Sequence, residues 1–222
     1  MATDIIVSYD GTSNDDDALA LGRMLAQTGA ALALAYVRHS REFDPRREEL
    51  AEHDAERRLE QGATWLGDSA LSRHIVVNAS TWEGLAALAD SEGASVIVFG
   101  SDYRTPPGNI APGTTAQHLL EGGPVAIAVA PAGLRASAAT AITSVSVAAE
   151  EADPAALETA STLAEKLGAT LTTEASSAQL IIVGSQPGAG SGRIILSGAA
   201  RARLGSARGA VLFVPSGTPV PL

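Results

Sequence analysis

Val96-Ile97-Val98-Phe99-Gly100-Ser101 and Leu180-Ile181-Ile182-Val183-Gly184-Ser185 are two renderings of one pattern: four apolar residues, a glycine and a serine. A short apolar run bounded by turn residues marks a strand buried on both faces, as in a parallel sheet. The runs Val125–Pro131 and Ala210–Pro215 also correspond. The chain therefore carries an internal duplication.

Outward from the first copy, apolar runs at Ile5–Tyr9, Ala31–Val37 and His74–Asn78 join Val96–Phe99 and Val125–Val129. Helical patterns at about 15–28, 46–67, 82–92 and 114–120 lie between them. Strands alternating with helices predict an α/β fold, a doubly wound parallel sheet. Asn14 or Ser13 is placed to cap the first helix. Asp15, Asp16 and Asp17 then occupy its first turn, where acids favour the positive helix end. Consecutive positions point apart on a helix, which argues against a shared metal. The second helix, with Arg46, Arg47, Glu48, Glu49, Arg57, Arg58 and Glu60, reads as a solvated face of interleaved charges.

Small residues at 134–141 suit a linker. The pattern restarts with a strand at Ile142–Val147 and a helix at Pro154–Leu167, capped by Asp153 with proline first. Strand candidates Ala169–Thr172, Leu180–Val183 and Val211–Val214 follow. About 58 residues separate the second and fourth strands in the first copy, and about seven in the second. Seven cannot hold a parallel crossover, so Ala169–Ala178 is expected as an edge piece or loop. The predicted organisation is a complete repeat at 1–133, a linker at 134–141 and a truncated repeat at 142–222.

The 222 residues carry a formal charge of −10, which argues against broad binding to nucleic acid or an anionic membrane. Residues 1–133 hold 19 acids and 9 Lys/Arg, residues 134–222 six of each. The two parts thus differ in surface. There is no cysteine for disulfides or thiolate metal sites. No apolar run approaches the ~20 residues of a membrane span, and the opening residues, without a basic region or cleavage site, are not expected to form a signal peptide. The expected compartment is the cytoplasm.

In an open parallel sheet, ligands sit outside the carboxyl ends of the strands, near the reversal of strand order. The segment after the fourth strand, from Gly100 to Thr115, is the most informative. Glycine permits close approach to a phosphate, and Gly113-Thr114-Thr115 opens a helix whose free N–H groups favour an anion. It is not a P-loop, because no Gly-Lys-Ser/Thr ends it.

Here the chain resembles the universal stress protein family, whose nucleotide-binding members show Gly-x2-Gly-x9-Gly-Ser/Thr at this place. This sequence reads Gly100-x2-Tyr103-x9-Gly113-Thr114, and its opening Val7-Ser8-Tyr9-Asp10-Gly11-Thr12 resembles the family's first strand and turn. The resemblance implies an adenine nucleotide α-hydrolase-like fold with adenine facing Asp10 and the Val37 backbone. Gly100, Gly113, Thr114 and Thr115 would surround ribose and phosphates. ATP or AMP is the implied ligand, with magnesium only as its companion. Tyr103 replaces the middle glycine, Asp102 adds a carboxylate, and Pro106-Pro107 removes two N–H donors. The loop therefore reads as admitting an ATP-class ligand, as leaving a pocket that is empty or accepts something smaller, or as taking another ligand.

The second copy has Ala148 where the first has Asp10, and Pro187 at the middle-glycine place. Its loop Gly184–Gly192 reads as a structural connection. His39, His53, His74 and His118 show no metal-ligand spacing. Ser8, Ser101 and Ser185 lack a nucleophile elbow. Trp82 reads as core or interface. Binding and regulation associated with stress are expected rather than catalysis; a scaffold without nucleotide and a slow ATP hydrolase are the rivals. Val125–Val129 and Val211–Val214 are expected to join the repeats as an internal pseudo-dimer, and further homodimerisation stays open.

Overall fold

In a computed structural model describing residues 3–148, 153–175 and 177–222, the apolar runs form one nine-stranded sheet. The N-terminal elements are β1 (Ile5–Ser8), α1 (Asp15–Leu25), β2 (Leu32–Arg38), α2 (Pro45–Leu66), β3 (Ser72–Val77), α3 (Thr81–Glu92), β4 (Val96–Phe99), α4 (Thr114–Leu120) and β5 (Ala126–Val129). There follow β6 (Ser144–Val147), α5 (Pro154–Leu167), β7 (Thr170–Thr172), β8 (Leu180–Gly184), α6 (Gly198–Ser206) and β9 (Ala210–Val214). The strand order is β3-β2-β1-β4-β5-β9-β8-β6-β7. All pairings are parallel except β5 with β9, where Ile127 faces Phe213 and Val129 faces Val211.

Strand alternation divides the core into two layers. Ile5, Val7, Val96, Val98, Ala128, Val145, Ile182 and Leu212 pack beneath α1, α2 and α5. Ile6, Val37, Ile97, Ile127, Ile181, Val183 and Phe213 face α3, α4 and α6. This is a doubly wound α/β sheet. The chain winds from β1 to β2 and β3 on one side, then returns to place β4 and β5 on the other, so strand order reverses between β1 and β4. Around β6 the order β7-β6-β8-β9 repeats four of those five places. Just before the seven-residue gap lies a three-residue edge strand, β7, as expected of an edge piece. Yet β7 and β8 both run parallel to β6 on its two sides, so the short gap does join parallel strands, against the expectation, because β7 is so brief. Ser176, within that gap, lies outside the described residues.

Several local expectations need correction. Asn14 stands at the α1 N-cap without a capping side-chain bond; its amide instead donates to the Ser101 carbonyl at 2.9 Å. The last turn of that helical pattern is a 3₁₀ turn, Ala26–Thr28, ended by Gly29 at φ 92°. His74 lies inside β3 rather than at its start. Helix α6 buries only Ala200 and follows no apolar period in the sequence. Asp153 does cap α5, accepting from the Ala155 N–H at 2.9 Å.

The two loop pairs share several bonds. Ser101 Oγ donates to the Ala130 carbonyl at 2.7 Å, and Ser185 Oγ to that of Val214 at 3.0 Å. The Asp102 N–H reaches Ala111 O as the Gln186 N–H reaches Ile195 O, each at 2.8 Å. The Gly108 and Gly192 N–H groups reach Ala132 and Ser216 in the same way. The apolar-Gly-Ser pattern thus encodes a buried serine that ties the loop after one strand to the end of the next.

Candidate functional site

A cavity of about 440 Å³ opens outside the carboxyl ends of β1, β2 and β4, within the size range of small-molecule sites. Asp10, Val37, Gly100, Gly113, Thr114 and Thr115 all line it. It sits where strand order reverses.

Its first wall is the turn after β1. The three aspartates at the start of α1 diverge. Asp15 Oδ2 accepts from the Asp10 N–H at 2.9 Å, the Thr12 N–H at 3.2 Å and the Thr12 hydroxyl at 3.0 Å. Asp10 Oδ1 accepts from the Thr12 N–H at 3.0 Å. Burial first, and then the neighbouring Asp10 carboxyl, push Asp15 up to about 7. Asp16 approaches the hydroxyl of Tyr9 at 3.5 Å. Burial, reinforced by the nearby aspartates, pushes the Tyr9 phenol up to about 12. Asp17 turns the other way and is buried. It accepts from the Gly133 and Arg135 N–H groups and from the Arg135 guanidinium at 2.8, 2.8 and 2.9 Å. The segment after β5 is therefore anchored to α1 rather than loose.

The second wall comes from β2 and α2. Arg38, buried at the end of β2, pairs with Glu48 at 2.6 Å, and Glu48 also accepts from the Glu42 N–H at 2.8 Å. The Arg38 hydrogen bond is the main cause holding the Glu48 carboxyl below its ordinary range. These bonds fix the chain between β2 and α2 beside the cavity, with His39 in the lining. Arg58 crosses from α2 to donate to the Asp10 carbonyl at 2.6 Å, its guanidinium 5.4 Å from the centre of the Tyr36 ring. The interleaved charges of α2 predict a solvated face for Arg58. Ala55, Leu59, Gly62 and Ala63 are buried on α2, so Arg58 borders that stripe; this periodicity was the available signal.

The third wall is the loop after β4. A side chain at Gly100 would place Cβ 2.1 Å from the Asn14 carbonyl oxygen. This glycine is required by the approach of β4 to α1, whatever ligand is present. Gly113 has open space around its Cβ direction, so its bareness leaves room in the cavity rather than within the protein. Tyr103 lines the cavity and is 72% exposed, with the Arg104 guanidinium 5.0 Å over its ring. Beside this wall, Trp82 stacks on His118 with ring centres 6.1 Å apart.

The corresponding loop of the C-terminal half packs on the sheet's other loops. Arg193 donates to the Gly122 carbonyl at 3.0 Å, and the Ile194 N–H to Gly123 at 3.0 Å. Ala148 is buried at the end of β6. Among the described residues no cluster of three His, Asp or Glu side chains could hold a metal ion. No described helix is long and apolar enough to cross a membrane.

The fold is a doubly wound α/β sheet with a cavity at its switch point, the place where such sheets take ligands. The chain belongs to the universal stress protein family, which it matches over residues 1–131. No curated protein matches it. Among solved structures it is similar to a universal stress protein from Archaeoglobus fulgidus DSM 4304, at 13% identity and a TM-score of 0.67, covering 96% of this chain and 98% of that one. It is also similar to a functionally unknown protein from Pseudomonas aeruginosa PAO1, at 14% identity and a TM-score of 0.61, covering 96% and 93%. These likenesses establish the adenine nucleotide α-hydrolase-like fold over nearly the whole chain.

Proposed function

We propose that this chain is a stress-associated regulatory protein that binds an adenine nucleotide in the cavity between β1 and β4. The observation that carries the reading is the convergence of Asp10, Val37, Gly113, Thr114 and Thr115 on one cavity at the switch point. In this reading the Asp10 carboxylate accepts from the exocyclic amine of adenine, and the Val37 backbone supplies the complementary contact. The Thr114 and Thr115 hydroxyls serve ribose and phosphate. Magnesium enters only with a bound nucleotide. One site per chain is expected, because Ala148 supplies no counterpart to Asp10 and Arg193 ties the second loop to Gly122.

Native mass spectrometry of the full chain, followed by calorimetry with AMP and ATP, tests this. The expected result is at most one nucleotide per chain, weakened about tenfold or more by Asp10→Ala through loss of a charge-assisted hydrogen bond. Two equal sites contradict the single pocket. Absence of binding turns the reading to a protein-interaction scaffold, and metal-dependent turnover lost in Asp10→Ala turns it to a hydrolase.

A further inference from the structure

The nucleotide reading does not say how many phosphates the cavity accepts; the loop after β4 bears on this, and the inference rests on that reading. We infer that the cavity selects an adenine ligand with one phosphate over one with three.

A triphosphate needs donors, and between Asp102 and Pro112 this loop has spent most of its own. The Asp102 N–H goes to Ala111 O at 2.8 Å, that of Thr105 to Asp102 O at 2.9 Å, and that of Arg104 to Asp102 Oδ1 at 3.0 Å. The Gly108, Asn109 and Ala111 N–H groups go to Ala132 O, Pro106 O and Ser101 Oγ at 2.8, 3.1 and 3.2 Å. Pro106, Pro107 and Pro112 have none to give. From Asp102 to Pro112, only Tyr103 and Ile110 fall outside this set. Diverting any of these donors to a phosphate would strip a partner from the loop's own carbonyls or from Ser101.

Charge acts in the same direction. Asp10, Asp15 and Asp102 line the cavity, and its one guanidinium is Arg58. That group is engaged by the Asp10 carbonyl and the Tyr36 ring, at the end assigned to the base. Arg104 lies over Tyr103 and lines a neighbouring cavity instead. The β- and γ-phosphates would meet the Asp102 carboxylate in a protein already at −10; like charges brought together oppose binding. A single phosphate can be met by the Thr114 and Thr115 hydroxyls, where the loop passes into α4.

Calorimetry on the full chain with adenosine, AMP, ATP and ATP with magnesium, at one ionic strength, tests the inference. AMP is expected to bind about tenfold or more tighter than ATP under both metal conditions, and tighter than adenosine. ATP binding as tightly as AMP in either condition overturns it, as does adenosine matching AMP. If none of the three binds, the nucleotide reading itself falls and takes this inference with it. Asp102→Asn keeps an acceptor for the Arg104 N–H while removing the charge, and is expected to narrow the AMP-to-ATP affinity ratio several-fold. An unmoved ratio in a folded variant overturns the assignment of selectivity to this loop. The double change Asp102→His with Tyr103→Gly is expected to narrow the ratio further.

Discussion

Asp15 illustrates how a residue plain in sequence becomes distinctive in place. As an acid in the first turn of α1 it is ordinary. Folded, it is pressed into the turn after β1 beside a second carboxyl, and keeps its proton to about 7 instead of its usual 3.8. The folded state thus binds more protons between about pH 4 and 7, so Asp15 costs stability as pH rises through that window and no more above it. Asp15→Asn retains an acceptor for the Asp10 and Thr12 donors and offers an N–H₂ to the Asp10 carboxylate. Thermal melts should show a gain of about 2–4 °C or more at pH 8, corresponding to about 1 kcal/mol, and little gain at pH 4. Equal gains at both values would remove Asp15 as the bearer of that proton. Asp17, its near neighbour, is buried with three donors, and Asp17→Ala is expected to cost about 2–4 kcal/mol in denaturant unfolding by stranding the Gly133 and Arg135 groups.

At the scale of elements, the approach of β4 to α1 depends on Gly100. Its place in the resemblance to nucleotide-binding sequences suggested a phosphate contact, yet the 2.1 Å approach to the Asn14 carbonyl accounts for it by packing alone. Gly100→Ala should therefore lower stability by about 1–3 kcal/mol in urea with no ligand present. An unchanged midpoint would return this glycine to a purely ligand-facing role. The principal elements were legible because apolar period and turn residues agreed: α4 and α5 fall at Thr114–Leu120 and Pro154–Leu167, as the pattern indicated. Helix α6 was not, because Gly198-Ala-Ala-Arg-Ala-Arg-Leu-Gly-Ser buries Ala200 alone among its residues and has hardly an apolar stripe. Of the site, the Asp10 turn and Gly113-Thr114-Thr115 were readable as local motifs. Arg58 was not, since it meets the Asp10 carbonyl and the Tyr36 ring only through the packing of α2 beside β1 and β2.

For the molecule as a whole, the antiparallel pairing of β5 with β9 makes two halves into one sheet. The Val125–Val129 edge would otherwise be apolar and open to pairing with other chains. Covalent connection keeps β9 at high effective concentration, so we propose that the C-terminal half caps this edge. Cutting after Ser137, which retains the Arg135 partner of Asp17, should give larger species, dimers or aggregates, in light scattering than the full chain does. A soluble, monomeric fragment would refute the capping role.

Sequence by itself determined the alternation of strands and helices, the duplicated apolar-Gly-Ser ends and the shortage of chain for a third strand in the second half. Each is local, written in periodicity or in the length available between two strands. Tertiary structure alone decided that β5 and β9 run antiparallel, that Asp15 lies half-buried against Asp10, and that the loop after β4 uses its own N–H groups. Those outcomes depend on which distant segments meet and at what distance. Coulomb energy and hydrogen bonding act over a few ångströms in space, and separation along the chain does not encode that distance.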